Sequence, residues 1–242
     1  MLGLYIGIIL LLNIPYVQHR MSVLVAKELS TVLGSELTVG RINIGLLNRI
    51  IIDDLVLNDQ SGKELLKIGR LSAKFEILPL FSGKISIGNV QLFSFNANLE
   101  RPTPQASTNF QFVLDAFASK DTVKKKSDLD LRINSLLIRR GKVSYDVLSA
   151  ESTPGKFNPQ HIRLSNILAN ISLKALQNDS VNAAIKRMSV EEEHSGFELK
   201  KLSLKIIAND RKMRIENFAI DLPNTSLAMD TIRMGIRQPW SH

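Results

Sequence analysis

The sequence predicts a mainly β fold: an N-terminal transmembrane helix, then an elongated, curled antiparallel-type β-sheet shaped as a groove, with one or two short amphipathic helices. Three observations predict it. The first 17 residues carry no charged side chain, and the next segment has apolar residues at helical spacing. From about residue 37 onward, apolar and polar residues alternate in one run after another. Such alternation is typical of strands with one apolar and one polar face.

Composition excludes several classes of function. The chain has 242 residues, a net charge of +8 and no cysteine. The absence of cysteine rules out disulfides, thiolate zinc sites, Fe–S clusters and a cysteine nucleophile. The tightest basic cluster is Lys124, Lys125 and Lys126, and the only aromatic residue near it is Phe117. Without a stacking platform, we expect no nucleic-acid partner.

Residues 1–18 are predicted to be a membrane anchor. A helix of this length reaches about 27 Å, enough to cross a hydrocarbon core. A cleaved signal peptide fits less well because no small-residue cleavage site follows, and a buried helix of a soluble domain is the other alternative. Arg20 follows the span and no basic residue precedes it, which by charge alone places the body in the cytoplasm. The anchor residues are Leu4, Ile8, Leu11 and Ile14.

Residues 19–34 are predicted to form an amphipathic helix that ends at Gly34. Its predicted apolar face consists of Val23, Leu24, Ala26, Leu29, Val32 and Leu33.

Two β segments are predicted, over residues 35–100 and 128–242. Residues 101–127 between them hold a short helix, capped by Ser107 or Thr108, and a polar connector. The alternation runs almost to Trp240, so we expect a piece of a longer chain. The candidates for the apolar inner face are Phe93, Phe95, Ala97, Leu99, Leu129, Leu131, Ile133, Leu204 and Ile206.

A short motif with a central glycine recurs in the first β segment. The sequence around Gly40 matches those around Gly69 and Gly88, and Gly141 begins a looser copy. In each, a glycine stands just before a run of alternation. Glycine at such a position permits a bulge or sharp coil in a long curving sheet.

No constellation for catalysis, cofactor binding or metal binding stands out. None of the four histidines has a partner at ligand spacing, and the acidic run that precedes His194 is typical of a solvated loop. The pair Asp53–Asp54 could supply two carboxylates, but Asn58–Asp59 soon after favours a turn. We therefore expect a protein that is not an enzyme and holds no cofactor.

The order of these parts resembles the AsmA-like superfamily, and within it the TamB-like inner-membrane subunits of translocation and assembly modules. The resemblance rests on soft patterns rather than an invariant signature, and it covers essentially the whole chain. The segments that carry it begin at Val39, Ile51, Ile77, Asn109 and Lys156.

The resemblance implies a single-pass inner-membrane protein whose body lies in the periplasm, and this overrules the weak charge signal. It implies an apolar β-groove that carries phospholipid between the inner and outer membranes, or assists outer-membrane protein translocation and assembly. It further implies phospholipid acyl chains and an Omp85-type outer-membrane protein as partners, the latter through a missing C-terminal region. The alternative is a membrane-tethered structural or adhesive β-sandwich, in which the same apolar residues form a closed core.

Overall fold

The computed structural model of the chain describes residues 3, 7, 10–11, 13–45, 48–75, 85–117, 129–130, 134–177, 180–209 and 212–235. Two helices and eleven strands have defined bounds in these ranges. The helices are α1 (Pro15–Leu33) and α2 (Gln111–Phe117). The strands are β1 (Leu37–Gly45), β2 (Arg49–Asn58), β3 (Glu64–Phe75), β4 (Ile85–Arg101), β5 (Leu129–Asp130), β6 (Ser135–Val147), β7 (His161–Gln177), β8 (Ser180–Glu192), β9 (Phe197–Ala208), β10 (Lys212–Leu222) and β11 (Thr225–Gly235).

All eleven strands belong to one sheet. Its order is β1-β2-β3-β4-β6-β7-β8-β9-β10-β11, and β5 pairs with β4 off this path. The prediction of a mainly β fold with an open, curled sheet is confirmed. The prediction of antiparallel pairing needs one correction, because β4 pairs in parallel with both β5 and β6. Parallel neighbours require a long crossover, and here it is the connection that contains α2.

Helix α1 lies along the outer edge of β1. The Ser30 hydroxyl accepts a hydrogen bond from the Leu37 backbone N–H (2.9 Å) and donates one to the Leu37 carbonyl (3.3 Å). Nearer the start of the helix, the Asn13 side chain donates to the Ile44 carbonyl at 2.8 Å. An edge strand otherwise presents unpaired backbone groups to other chains, so α1 protects this edge of the sheet.

Half of the predicted apolar face of the helix is confirmed, since Leu33 lies in the hydrophobic core and Ala26 and Leu29 pack against it, and the other half needs correction. Val23, Leu24 and Val32 are more than half exposed, whereas Gln18 and Ser22 are buried. Gln18 donates a hydrogen bond to the Asn43 side chain at 2.6 Å. The helix turns polar residues inward here because the β1 edge offers backbone and amide partners as well as apolar ones.

The main core cluster lies at the end of the sheet where α1 ends. The final turn of α1 and residues of β1, β2 and β3 contribute to it, and residues of β4 and α2 pack against it. We call this the capped end. The β1–β2 and β9–β10 turns mark the uncapped end. The buried members of the cluster are Leu33, Leu37, Leu57 and Leu65.

Strand β11 forms the other edge of the sheet. Ten of its eleven residues are exposed, and Leu227, Met229 and Met234 are its exposed large apolar side chains. No described residue pairs with its outer side. The sheet therefore has one edge covered by a helix and one edge open within the described part of the chain.

The predicted anchor lies partly outside the described residues. Among the described residues, no helix is long and apolar enough to cross a membrane. Leu4 and Ile8 lie outside the described residues, whereas Leu11 and Ile14 lie within them and are exposed. The anchor stays a prediction.

Candidate apolar binding surface

A continuous row of apolar residues crosses the whole sheet. The backbone register places one apolar residue from each of ten strands side by side, and register partners in a sheet share a face. We call this the central row. Its members are Ile42, Ile52, Leu71, Leu92, Ile138, Ala169, Met188, Leu202, Ile220 and Leu227.

Two further apolar rows run on either side of the central row. The row towards the uncapped end spans β1 to β9 and consists of Ile44, Ile50, Ala73, Val90, Leu136, Ile171, Ile185 and Leu204. The row towards the capped end spans β1 to β7 and consists of Leu37, Leu57, Leu66, Ala97, Val143 and Leu164.

A backbone irregularity interrupts the alternation in many strands. In β2 the members of the apolar rows are the even-numbered Ile50 and Ile52 before Asp54, which has φ of 56°, and the odd-numbered Leu57 after it. We call the line of these positions the crease. The same change of parity occurs around four further residues with positive φ, which are Ser94, Arg140, Asn166 and Asn217.

The β9–β10 pair explains what the crease does. Leu202 pairs with Ile220 and Ile206 pairs with Ile215, so four residues along β9 match five residues along β10. The extra residue is the bulge that contains Asn217. A bulge shifts the alternation by one position, and a matching shift in the sequence returns apolar side chains to the same face. We infer that the crease curls the sheet while keeping one face apolar.

The recurring glycines explain how neighbouring strands fit at the crease. A Cβ atom added at Gly40 would lie 3.0 Å from the Cβ of Asp54. At Gly141 an added Cβ would overlap the ring of Phe95, which therefore lies directly over the glycine backbone. These two glycines permit close approach of side chains on the neighbouring strands, beside the irregularity that the motif predicts.

Gly141→Ala is expected to lower the free energy of unfolding by about 2 kcal/mol, because the new methyl group overpacks against Phe95. Denaturant unfolding of the full chain, followed by far-UV circular dichroism, measures the change. Gly45→Ala is the matched control, since an added Cβ there meets no atom closer than 3.6 Å. The Phe95→Leu change should recover part of the loss in the double variant. Equal stabilities of the Gly141→Ala and Gly45→Ala variants would contradict the contact.

The predicted inner-face residues fall in different surroundings. Phe95, Ala97, Leu204 and Ile206 are half-buried strand residues, and Ala97 and Leu204 are members of the apolar rows. Leu99 instead packs against the core cluster at the capped end. Leu129 forms part of β5, where only its backbone pairing with Ile85 is described. Leu131 and Ile133 lie outside the described residues.

Phe93 differs from its predicted neighbours. Its register partners are Arg70 and Arg139, and Arg70 in turn pairs with Asp53. It lines a small cavity of about 360 Å³ together with Arg70, Ser94 and Arg140. Strict alternation would put Phe93 and Phe95 on one face of the sheet. The positive φ of Ser94 interrupts the alternation between them, so the two side chains no longer share a face.

The Asp53–Asp54 pair lies within β2, and the predicted turn follows it after Asn58, between β2 and β3. Asp53 is buried, and its carboxylate accepts a hydrogen bond from the Arg70 guanidinium at 2.6 Å. Asp54 supplies the positive φ of the crease. Both carboxylates therefore belong to an interrupted strand, and the contacts described for them are structural.

Sequence reasoning missed a polar network at the capped end of β6 and β7. The two ring nitrogens of His161 face two oxygen acceptors, Asp146 Oδ1 at 2.9 Å and the Ala150 carbonyl at 3.0 Å. The hydrogen bond with Asp146 is the main cause that raises the pKa of His161, and the hydrogen bond with the Ala150 carbonyl adds to it. Burial opposes ionisation of Asp146, but hydrogen bonds from Arg163 and His161 outweigh it and lower the pKa of that carboxyl.

Glu192 is the most enclosed charged residue of this region, at 2% exposure. Its carboxylate accepts hydrogen bonds from the Ser195 hydroxyl (2.5 Å) and the Ser195 backbone N–H (2.7 Å). The backbone N–H groups of Arg163 and His194 add two longer bonds. Burial opposes ionisation, but these bonds outweigh it and lower the pKa of Glu192 to about 2. The acidic run around Glu192 is therefore in part a folded turn rather than a solvated loop.

In the described part of the chain, no group of three or more histidine, aspartate or glutamate side chains is arranged to hold a metal ion.

The fold and the apolar rows together define a single open, curled β-sheet with a helix-covered first edge. No protein-family model matches the chain, and no curated protein matches it either. The resemblance to AsmA-like proteins therefore stays a prediction.

Proposed function

We propose that this chain is a membrane-anchored envelope protein that carries phospholipid acyl chains along the apolar rows of its sheet, between the inner and outer membranes. The observation that carries the proposal is the central row, in which ten strands each contribute one apolar residue. A track for acyl chains needs an unbroken apolar surface and no catalytic group.

The length and direction of the central row suit such a track. Nine inter-strand steps of about 4.8 Å make a path of roughly 43 Å. The path begins at β1, beside α1 and the predicted anchor, and it ends at the open edge strand β11. Lipid that leaves the membrane beside the anchor would thus move across the strands, towards the edge that no described residue covers.

Within the described part of the chain, many residues of the apolar rows are only half-buried. In the described structure α1 packs along β1, and α2 joins the core cluster at the capped end. Many row residues, Ile138 and Leu204 among them, remain half-exposed. Extended apolar surface of this kind marks a binding site, and each methylene buried on it contributes about 0.8 kcal/mol.

Assistance in outer-membrane protein assembly is a second candidate function, and the open edge of β11 favours it. An exposed strand edge can accept an extended segment of a client protein by adding it to the sheet. On this proposal too the body lies in the periplasm, and an Omp85-type protein is the outer-membrane partner. The tethered β-sandwich has less support, because the described residues form one sheet with no second sheet packed on it.

Site-specific photocrosslinking in intact cells tests the lipid track. A photoreactive residue at Phe95 should crosslink to phospholipid, whereas the same probe at Asn96 should not. Asn96 is the matched control because it is adjacent in β4 and its register partners are Lys67 and Lys142. Crosslinks at neither position, in protein shown to be folded, would contradict the track and favour a closed core.

A further inference from the structure

The face of the sheet opposite the apolar rows carries a group of exposed basic residues between β1 and β6. The neighbours of each central-row residue in its strand lie on this opposite face, because side chains alternate along a strand. We call the group the basic patch. Its members lie at the crease and on either side of it, and they are Arg41, Arg49, Lys67, Arg70, Lys74, Arg139, Arg140 and Lys142.

The basic patch has little counter-charge of its own. Asp53 and Asp54 lie within it, and the Asp53 carboxylate pairs with Arg70 at 2.6 Å. Within the described part of the chain, the other seven basic residues form no ion pair. Arg49 and Lys74 are direct cross-strand partners, an arrangement that places two like charges side by side and destabilises a sheet. An anionic partner would relieve this repulsion.

One row of the basic patch has a regular spacing. The strand register aligns five residues across β1, β2, β3, β4 and β6, and they are Arg41, Asp53, Arg70, Phe93 and Arg139. Successive arginines of this row are two strands apart, which is about 10 Å. An α-helix places residues i and i+7 on one face, about 10.5 Å apart. Carboxylates at that spacing on a helix would each meet one arginine.

A cavity of about 360 Å³ lies in the middle of this row. Two guanidinium groups, those of Arg70 and Arg140, line it together with the ring of Phe93 and with Ser94. Arg70 binds Asp53 through Nε, which leaves its two terminal nitrogens for a partner. A cavity of this kind suits one acidic side chain in a fixed position, which a protein segment offers and a fluid lipid surface does not.

We propose that the basic patch docks an acidic helical segment of another protein, whose carboxylates, seven residues apart, bind Arg41, Arg70 and Arg139. Guanidinium groups bind carboxylates by charge-assisted, bidentate hydrogen bonds. The patch lies on the face opposite the apolar rows, so the inference does not depend on the proposed lipid track. A partner docked here would leave the track free.

Calorimetric titration of the full chain, held in a neutral amphipol, tests the docking site. The probe is an alanine-rich helical peptide with glutamates along one face, repeated every seven residues. The reference peptide has the same composition with its glutamates spread around the helix. We expect the probe to bind about tenfold more tightly than the reference peptide, because only the probe can place its carboxylates on one row of arginines.

Arg139→Gln should weaken binding of the probe about tenfold. Arg233→Gln is the matched control and should leave the affinity within twofold of wild type. Arg233 is an exposed arginine on the same face of the sheet, in β11, and like Arg139 it forms no ion pair within the described part of the chain. Far-UV circular dichroism verifies that both variants are folded.

Three results would overturn the docking site. Equal affinities for the two peptides would show a general attraction for negative charge, and equal effects of the two arginine substitutions would show that the row has no special role. A wild-type chain that does not bind the probe, but binds phosphatidylglycerol vesicles in a flotation assay and loses them on Arg139→Gln, would assign the patch to an anionic membrane surface. All three concern the face opposite the lipid track, so the proposed track stands or falls on its own experiments.

Discussion

Replacing Glu192 with alanine is expected to lower the free energy of unfolding by about 3 kcal/mol. The substitution leaves the Ser195 hydroxyl and three backbone N–H groups without their acceptor in an enclosed turn. Buried donors that lose a charged acceptor retain the cost of their desolvation. Urea unfolding of the full chain in a neutral amphipol, followed by far-UV circular dichroism, measures the loss.

The same carboxylate gives the prediction a pH dependence. The pKa of Glu192 in the folded chain is lowered from 4.5 to about 2, so the folded state favours the ionised form. A depressed folded-state pKa contributes stability that is complete above the unfolded value. That contribution should therefore be present above about pH 4.5 and decline as the pH falls towards 2. In the Glu192→Ala variant this part of the acid sensitivity should disappear.

Glu193→Ala provides the control, because Glu193 is the next residue and its side chain is exposed. An exposed carboxylate without buried donors should change the stability by less than about 0.5 kcal/mol. Equal losses for the two alanine variants would show that the Glu192 bonds contribute nothing particular.

The class of fold could be predicted from the sequence because period-two alternation is a local property. The alternating residues Leu71, Ala73 and Phe75 lie within β3, and the alternating run from Leu202 to Ala208 lies within β9. Strict alternation does not predict β8, since its apolar residues change parity at Lys186 and Arg187, where its pairing with β9 also shifts register. A pattern search for strict alternation stops at every such position.

The positions of the crease cannot be predicted from the sequence. The residues with positive φ, Asp54 and Arg140 among them, lie on one line across paired strands, and which strands pair is not local information. For the same reason Phe93 was grouped with Phe95 and Ala97. The glycine motif was the one signal available, and it correctly indicated an irregularity in the sheet.

The polar network of Glu192 and His161 could not be predicted either. His161 follows a loop and Asp146 ends the preceding strand, so their contact depends on the β6–β7 register. Glu192 reaches Arg163 because β8 pairs with β7. Such networks leave no fixed spacing in the chain, unlike a metal motif or a nucleophile elbow.

Ile138→Glu is expected to slow phospholipid transfer about 100-fold, because it places a carboxylate in the middle of the central row. Ile138 lies in β6 between its register partners Leu92 and Ala169. A carboxylate in contact with hydrocarbon costs about 2.5 to 3.5 kcal/mol, and an acyl chain that crosses the row must pass it. Transfer of a fluorescent phospholipid from vesicles that hold the full chain to acceptor vesicles gives the rate.

Leu137→Glu is the matched control, since the next residue of β6 faces the other side of the sheet. Its register partners are Gln91 and Asn170, so a carboxylate there meets a polar row and should leave transfer within twofold of wild type. Far-UV circular dichroism of both variants verifies the fold. Unchanged transfer by a folded Ile138→Glu chain would contradict the acyl track. If the Ile138→Glu chain unfolds and the Leu137→Glu chain does not, the central row belongs to a closed core. Only a row that is sealed from lipid and water needs its apolar residues for folding rather than for the passage of acyl chains.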